Sequence, residues 1–219
     1  MWRLSVVLFA LLACTSASDG PENAPASARP EASKSSPVKA KLSRTRFTGD
    51  ADRQRLIDGG AARAVFAGGC FWGVEHYFEK EKGVLLVTSG YAGDSKAAPS
   101  YKQVSTGTTG HAEAVEVLYD SDKVDYETLA RLFFEIHDPT QKDRQGPDVG
   151  SQYRSVIYFD GKAERAVADR LISILKGKGL AVVTEVTELK RFWPAEDYHQ
   201  DYYQRTGGEP YCHVRVKRF

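Results

Sequence analysis

Cys70 is the side chain best placed to do chemistry. Ala64-Val65-Phe66-Ala67 reads as a short buried strand, which Gly68-Gly69 breaks. From Phe71 the apolar spacing becomes helical, with Phe71, Val74 and Phe78 on one face. Cys70 therefore sits where a strand turns into a helix. The free N–H groups and macrodipole of a helix N-terminus favour an anion. A thiol there is expected to ionise below its ordinary value of about 8.5 and to become a nucleophile. Phe71 and Trp72 would supply an apolar aromatic wall beside it. The alternative is a small buried core thiol.

The elements that must position this thiol follow from pattern and punctuation. Val84 to Ser89 reads as a strand ended by Gly90-Tyr91-Ala92-Gly93, and residues 114–119 alternate as a half-buried strand does. Asp125 can cap a helix whose core face is Leu129, Leu132, Phe133 and Ile136, closed by His137-Asp138-Pro139. A polar, turn-rich stretch runs from Thr140 to Gln152, and loops of that length are often functional. Tyr153 to Phe159 reads as a strand. Asp160 can cap a helix with Ala163, Val167, Leu171 and Ile174 inward, and Leu180 to Val186 reads as a further strand. Trp193-Pro194 is expected to open a last helix, closed by Gly207-Gly208. Strands and helices mix without a strict repeat, so the expected class is α+β.

The ordered domain does not begin at residue 1. Arg3 precedes ten mostly apolar residues, Leu4 to Ala13, and then Cys14, as in a secretory signal. The run falls short of the roughly 20 apolar residues that span a bilayer. Leu11-Leu12-Ala13-Cys14 resembles a bacterial lipoprotein processing site, in which Cys14 becomes the first mature residue and carries lipid. Ordinary signal cleavage is the alternative. Residues 14–45 are rich in Ser, Ala and Pro, too polar to offset their ordering entropy, and read as a flexible tether. Residues 46–219 form the expected domain. This organisation places the protein in the bacterial cell envelope, facing the periplasm or the exterior.

The net charge is +1, and the chain has no basic run and no basic–aromatic stripe, so nothing calls for nucleic acid. The five histidines are scattered without ligand spacing, and no phosphate or dinucleotide loop is present, so neither metal nor cofactor is expected. His137 and His199 read as hydrogen-bonded structural residues.

Gly69-Cys70-Phe71-Trp72-Gly73-Val74-Glu75 resembles the signature of the class A peptide-methionine sulfoxide reductases. Gly90-Tyr91-Ala92-Gly93, Pro99-Ser100-Tyr101, Gly110-His111-Ala112-Glu113, His137-Asp138-Pro139-Thr140, Asp148 with Gln152-Tyr153-Arg154-Ser155, and Tyr198-His199-Gln200-Asp201-Tyr202 follow in the family's order. The resemblance covers about residues 60–212. It implies a two-layer α/β sandwich with a mixed sheet, a ferredoxin-like plait with extensions. It implies reduction of the S epimer of methionine sulfoxide, in proteins or free, and repair after oxidative damage. By resemblance Cys70 is the nucleophile and Glu113 the acid that protonates the sulfoxide oxygen, which requires a raised pKa. Tyr101 and Tyr153 match phenols that hydrogen-bond that oxygen. Phe71 and Trp72 match the wall around the substrate methyl group, and Asp148 a residue that orients the substrate.

Attack leaves a sulfenic acid on Cys70, which a second thiol can condense with. By resemblance that thiol is Cys212. The family's Gly-rich tail after it is missing, and His213-Val214-Arg215-Val216 reads as a strand, which predicts a stiffer tail. Two rival readings use the same residues. One is a Cys–His hydrolase built on Cys70. The other is a binding module stapled by a Cys70–Cys212 disulfide. For the reductase reading the implied partners are oxidised proteins and a thioredoxin-like reductant on the same side of the membrane, and a monomer is expected.

Overall fold

The computed structural model describes residues 43–93 and 98–219. Cys14, the predicted signal and nearly all of the predicted tether lie outside the described residues. The fold runs α1 (Asp50–Asp58), β1 (Ala62–Gly68), α2 (Phe71–Glu79), β2 (Val84–Ala92), α3 (Tyr101–Val104), β3 (Ala112–Tyr119), α4 (Tyr126–Ile136), β4 (Arg144–Gln145), β5 (Asp148–Val149), β6 (Ser155–Phe159), α5 (Lys162–Gly177), β7 (Glu185–Glu188), β8 (Phe192–Pro194) and α6 (Tyr202–Thr206).

Six strands form one mixed sheet in the order β7-β6-β1-β3-β2-β8, and β4 and β5 form a separate small hairpin. Among the described residues only the β6–β7 pair is parallel. The central strands β6-β1-β3-β2, joined through α2 and α4, have the order of a ferredoxin-like plait. The helix α2 leaves β1 and crosses β3 to reach β2, so β1 and β3 lie side by side in opposite directions.

Period-two alternation sorts the strand residues between two cores. Ala64 and Phe66 of β1, Val115 and Val117 of β3 and Ile157 of β6 face α2, α4 and α5. Val65, Ala67, Ala112, Ala114, Val156 and Tyr158 face the other way. The alternation in 114–119 suggested one wet face, yet every residue of β3 is buried. α1 is the reason: Leu56 packs over Leu85, Leu86 and Leu118 on the second face. Glu116 points there too, fully buried, and its carboxylate takes a bidentate pair of bonds from Arg53 on α1, with Arg63 at 3.5 Å.

Several expected boundaries move. Thr45 already donates a backbone bond to Leu85 at 2.9 Å, so order reaches into the predicted tether. Asp125 does cap α4, accepting from Thr128 N–H at 2.7 Å. Asp160 does not cap α5: Gly161 takes that position, and the Asp160 N–H donates to Glu164 instead. Leu180 to Thr184 lies outside the strand, which begins at Glu185. Trp193-Pro194 opens no helix. It belongs to β8, an edge strand beside β2, where a residue without N–H is tolerated. A 3-10 turn over Asp197–His199 follows, and the α-helix starts only at Tyr202.

Residues 213–216 form no strand either. The tail instead grips the end of α4. Val216 N–H donates to Glu135 O at 2.7 Å, Arg215 pairs with the Glu135 carboxylate at 2.8 Å, and Arg218 reaches Phe134 O and His137 O at 2.7 and 3.3 Å. These are carbonyls that a helix end leaves without intrahelical partners.

Arg53→Met would strand the Glu116 carboxylate in the core. It should cost about 3 kcal/mol in denaturant unfolding. The double variant Arg53→Met, Glu116→Met should recover most of that loss.

Candidate active site

The thiol turn is built from backbone that admits no side chain. Gly69 has φ of +101°, and a Cβ there would lie 2.5 Å from Gln145 Cβ. Gln145 is held by Asp138, whose N–H donates to its side-chain oxygen at 3.2 Å and whose carbonyl accepts from its amide at 3.3 Å. Beneath them His137 bridges Phe133 O at 2.6 Å and Ser155 Oγ at 2.8 Å. Burial pushes its pKa down to about 3, so it is a neutral strut, as expected. Cys70 then occupies the N-cap of α2.

The antiparallel register brings the acid to the thiol. Phe66 pairs with Val115; Gly68 lies two residues after the one and Glu113 two residues before the other, so both fall at the same end of the antiparallel pair. Glu113 shares the face of Val115 and Val117, and its buried carboxylate accepts a bond from the N–H of Phe71 at 3.2 Å. Desolvation, followed by the nearby Cys70, pushes its pKa well above the carboxylate range. A carboxyl in that position holds its proton more firmly than one in water.

Cys70 does not behave as its place at a helix N-terminus suggested. Its pKa is raised, not lowered. Hydrogen bonding with Cys212 and burial together outweigh the helix backbone N–H, which acts in the opposite sense. The second thiol, Cys212, arrives from the far end of the chain, so the residues around Cys70 alone do not reveal its effect. Both cysteines are free, and their Sγ atoms and one Asp148 oxygen lie within 4.8 Å of one another. Asp148, on β5, accepts from the Tyr211 hydroxyl at 3.1 Å on each oxygen.

An aromatic cage closes the other side. Phe71 is buried, and Trp72 is half-buried and stacks flat on Tyr202, with centroids 3.8 Å apart. Trp72 Nε1–H donates to His199 Nδ1 at 3.1 Å, and the His199 ring lies 4.9 Å from Phe71 and 4.6 Å from Tyr101. Tyr101 starts α3, and Tyr153 ends a single turn of 3-10 helix, not a strand as expected. Burial first and Glu113 next push both phenols up, so both keep their protons.

Sequence reasoning assigned no role to Glu196. Its carboxylate accepts from the Tyr91 hydroxyl at 2.8 Å and from the Tyr101 N–H at 2.9 Å. Tyr91 is paired with Glu113 across β2 and β3. Glu196 therefore locks the strand beside the acid to the helix that carries a phenol. The signal was present only as an acidic residue shortly before the Tyr198-His199 motif.

The family model for peptide methionine sulfoxide reductase matches residues 62–219. The chain belongs to the peptide methionine sulfoxide reductase family. It is 51% identical over 150 residues to a peptide methionine sulfoxide reductase MsrA of Nautilia profundicola, covering 68% of this chain and 87% of that one. It is 46% identical over 154 residues to an MsrA of Acinetobacter baumannii, covering 70% and 89%. Among solved structures it resembles reduced Mxr1 of Saccharomyces cerevisiae, with a TM-score of 0.65, 33% identity and coverage of 71% and 92%. It also resembles methionine sulfoxide reductase A of Corynebacterium diphtheriae, with a TM-score of 0.63, 35% identity and coverage of 69% and 78%. The enzyme is thus a methionine sulfoxide reductase with an α+β fold, and the reaction is repair of oxidised methionine.

If Glu113 is the proton donor that the resemblance implies, Glu113→Gln should slow reduction by about 10²-fold or more. In the unaltered reductase the chemical step should fall as pH rises through the raised Glu113 pKa, and the variant should lose that limb. The folded state holds this proton more tightly than the unfolded chain does. Stability therefore declines with pH between the ordinary and the raised carboxylate value. Glu113→Gln should raise the melting temperature at pH 8 and leave it closer to the parent at pH 4.

Proposed function

We propose that this reductase acts on the S epimer of methionine sulfoxide, free or in proteins, and cycles through a Cys70 sulfenic acid and a Cys70–Cys212 disulfide. The observation that carries this reading is the buried Glu113 carboxyl, bonded to the Phe71 N–H beside Cys70, with a second thiol within 4.8 Å of the Cys70 sulfur. One group can protonate the sulfoxide oxygen, and the other can close the cycle.

The steps balance on these residues. Cys70 sulfur attacks the sulfoxide sulfur while Glu113 gives a proton to the oxygen. The hydroxyl passes to Cys70, methionine leaves, and the Cys70 thiol proton returns to Glu113. Tyr101 and Tyr153 hold the oxygen as donors, and Phe71 and Trp72 pack the methyl group. Asp148 orients the substrate and holds Tyr211. Cys212 then condenses with the sulfenic acid and releases water. The resulting disulfide is reduced by a thioredoxin-like protein, which supplies two electrons per turnover.

The site favours the reductase over the two rival readings. The thiol is flanked by a proton-bearing acid and phenols, which an acyl enzyme does not need. A stapled binding module has no use for a buried proton donor at its disulfide.

We place the reductase in the cell envelope, held by lipid on Cys14, on the support of the signal-like Leu4–Ala13 run and the polar segment after it. Cells expressing the full chain should incorporate labelled palmitate, and Cys14→Ser should abolish it. Export without label would leave ordinary signal cleavage.

With dithiothreitol, an N-blocked methionine S-sulfoxide should turn over and the R epimer should not, and Cys70→Ser should do neither. Cys212→Ser should release one methionine per enzyme and then stall with thioredoxin. Full steady-state turnover by Cys212→Ser would remove Cys212 from the cycle.

A further inference from the structure

His213 directly follows the proposed resolving thiol, and none of the family motifs includes it. Its imidazole is buried, with 2% exposure. Nε2 lies 2.8 Å from the carbonyl oxygen of Gly68. A carbonyl only accepts, so Nε2 carries the hydrogen. In the neutral ring Nδ1 is then a lone-pair acceptor. The atom facing it is Cys212 Sγ, 3.0 Å away, and in that contact only the thiol has a hydrogen to give. Desolvation holds the ring neutral, pushing its pKa down to about 4.

The thiol turn makes room for this ring. A Cβ at Gly73 would stand 2.2 Å from His213 Nδ1, and one at Gly69 would stand 3.4 Å from its Cε1. Gly68 supplies the carbonyl. The turn that presents Cys70 therefore also seats the imidazole and fixes its tautomer. Past the ring, the tail is anchored to the end of α4 through Arg215, Val216 and Arg218. Cys212 is thus positioned from its C-terminal side by a group that can take its proton.

We propose that His213 is a catalytic residue of the second half-reaction, the proton acceptor that activates Cys212 for attack on the Cys70 sulfenic acid. This inference rests on the reading of Cys212 as the resolving thiol. As the Cys212 S–H bond breaks, its proton moves to Nδ1 and its sulfur bonds to Cys70 sulfur. The Cys70 S–O bond breaks, and the departing hydroxide takes the proton from Nδ1 and leaves as water. The Cys212 sulfur is oxidised and the Cys70 sulfur reduced by the same amount. The oxidising equivalents came from methionine sulfoxide, so no further oxidant is needed. A weakly basic ring suits this step, because it passes the proton on and does not retain it.

The test mixes the full reduced chain with one equivalent of methionine S-sulfoxide and no reductant, and follows methionine release and thiol loss separately by rapid quench. His213→Leu keeps bulk and removes the acceptor, while His213→Asn keeps a carbonyl oxygen near the Nδ1 position. In His213→Leu the rate of disulfide formation relative to methionine release should fall about 10²-fold, the usual reach of a positioned base. His213→Asn should recover part of it. A ratio unchanged in His213→Leu overturns the proposal. If His213→Leu releases no methionine, His213→Gly with added imidazole decides: disulfide formation that rises with imidazole supports the role, and no response overturns it. Cys212→Ser separates the two readings. If that variant turns over fully with thioredoxin, the resolving assignment falls and this inference with it. If Cys212→Ser stalls while His213→Leu is normal, only this inference falls.

Discussion

The bond from Phe71 N–H to the Glu113 carboxylate ties the head of α2 to the start of β3, and the active site is arranged around it. It can form only because β1 and β3 run antiparallel in one register, with the thiol turn at the end of the first and the acid at the start of the second. Side chains alternate along a strand, so a shift of one residue would turn Glu113 to the far face with Ala112 and Ala114. The core enforces the register. Phe66 stacks on Phe78 of α2 and on Phe133 of α4, so the helices and strands that fix the pairing are the same ones that seal the site.

Burial explains why the titrating groups of the site shift as they do. Glu113, Tyr101 and Tyr153 all keep their protons more firmly than in water, because each charged form would lose solvent and repel its neighbours. By resemblance, these groups are the hydrogen-bond donors that meet the sulfoxide oxygen. The family membership names the reaction; these donors are the means by which this chain could perform it.

Much of this was legible in the sequence, because the informative signals were local. The change from strand to helical spacing at Cys70, the Asp125 cap and the ordered motifs each sit within a few residues. The α+β class followed from the same patterns. The misses were long-range. α1 is too polar to announce itself, and its value lies in covering Glu116 and Leu118 on a strand far along the chain. Trp193-Pro194 looks like a helix start until β2 offers an edge. The direction of the Cys70 shift depends on Cys212, and the seat of His213 on Gly73. Neither contact leaves a trace near the residue it controls.

The raised pKa of Cys70 has a bearing on survival as well as on catalysis. A thiolate reacts readily with peroxides and stray disulfides, whereas a thiol is slow with both. Held protonated by Cys212 and by burial, Cys70 meets indiscriminate oxidants in the least reactive form of sulfur. That matters because a cysteine oxidised beyond the sulfenic level is a lesion that methionine sulfoxide reduction does not reverse.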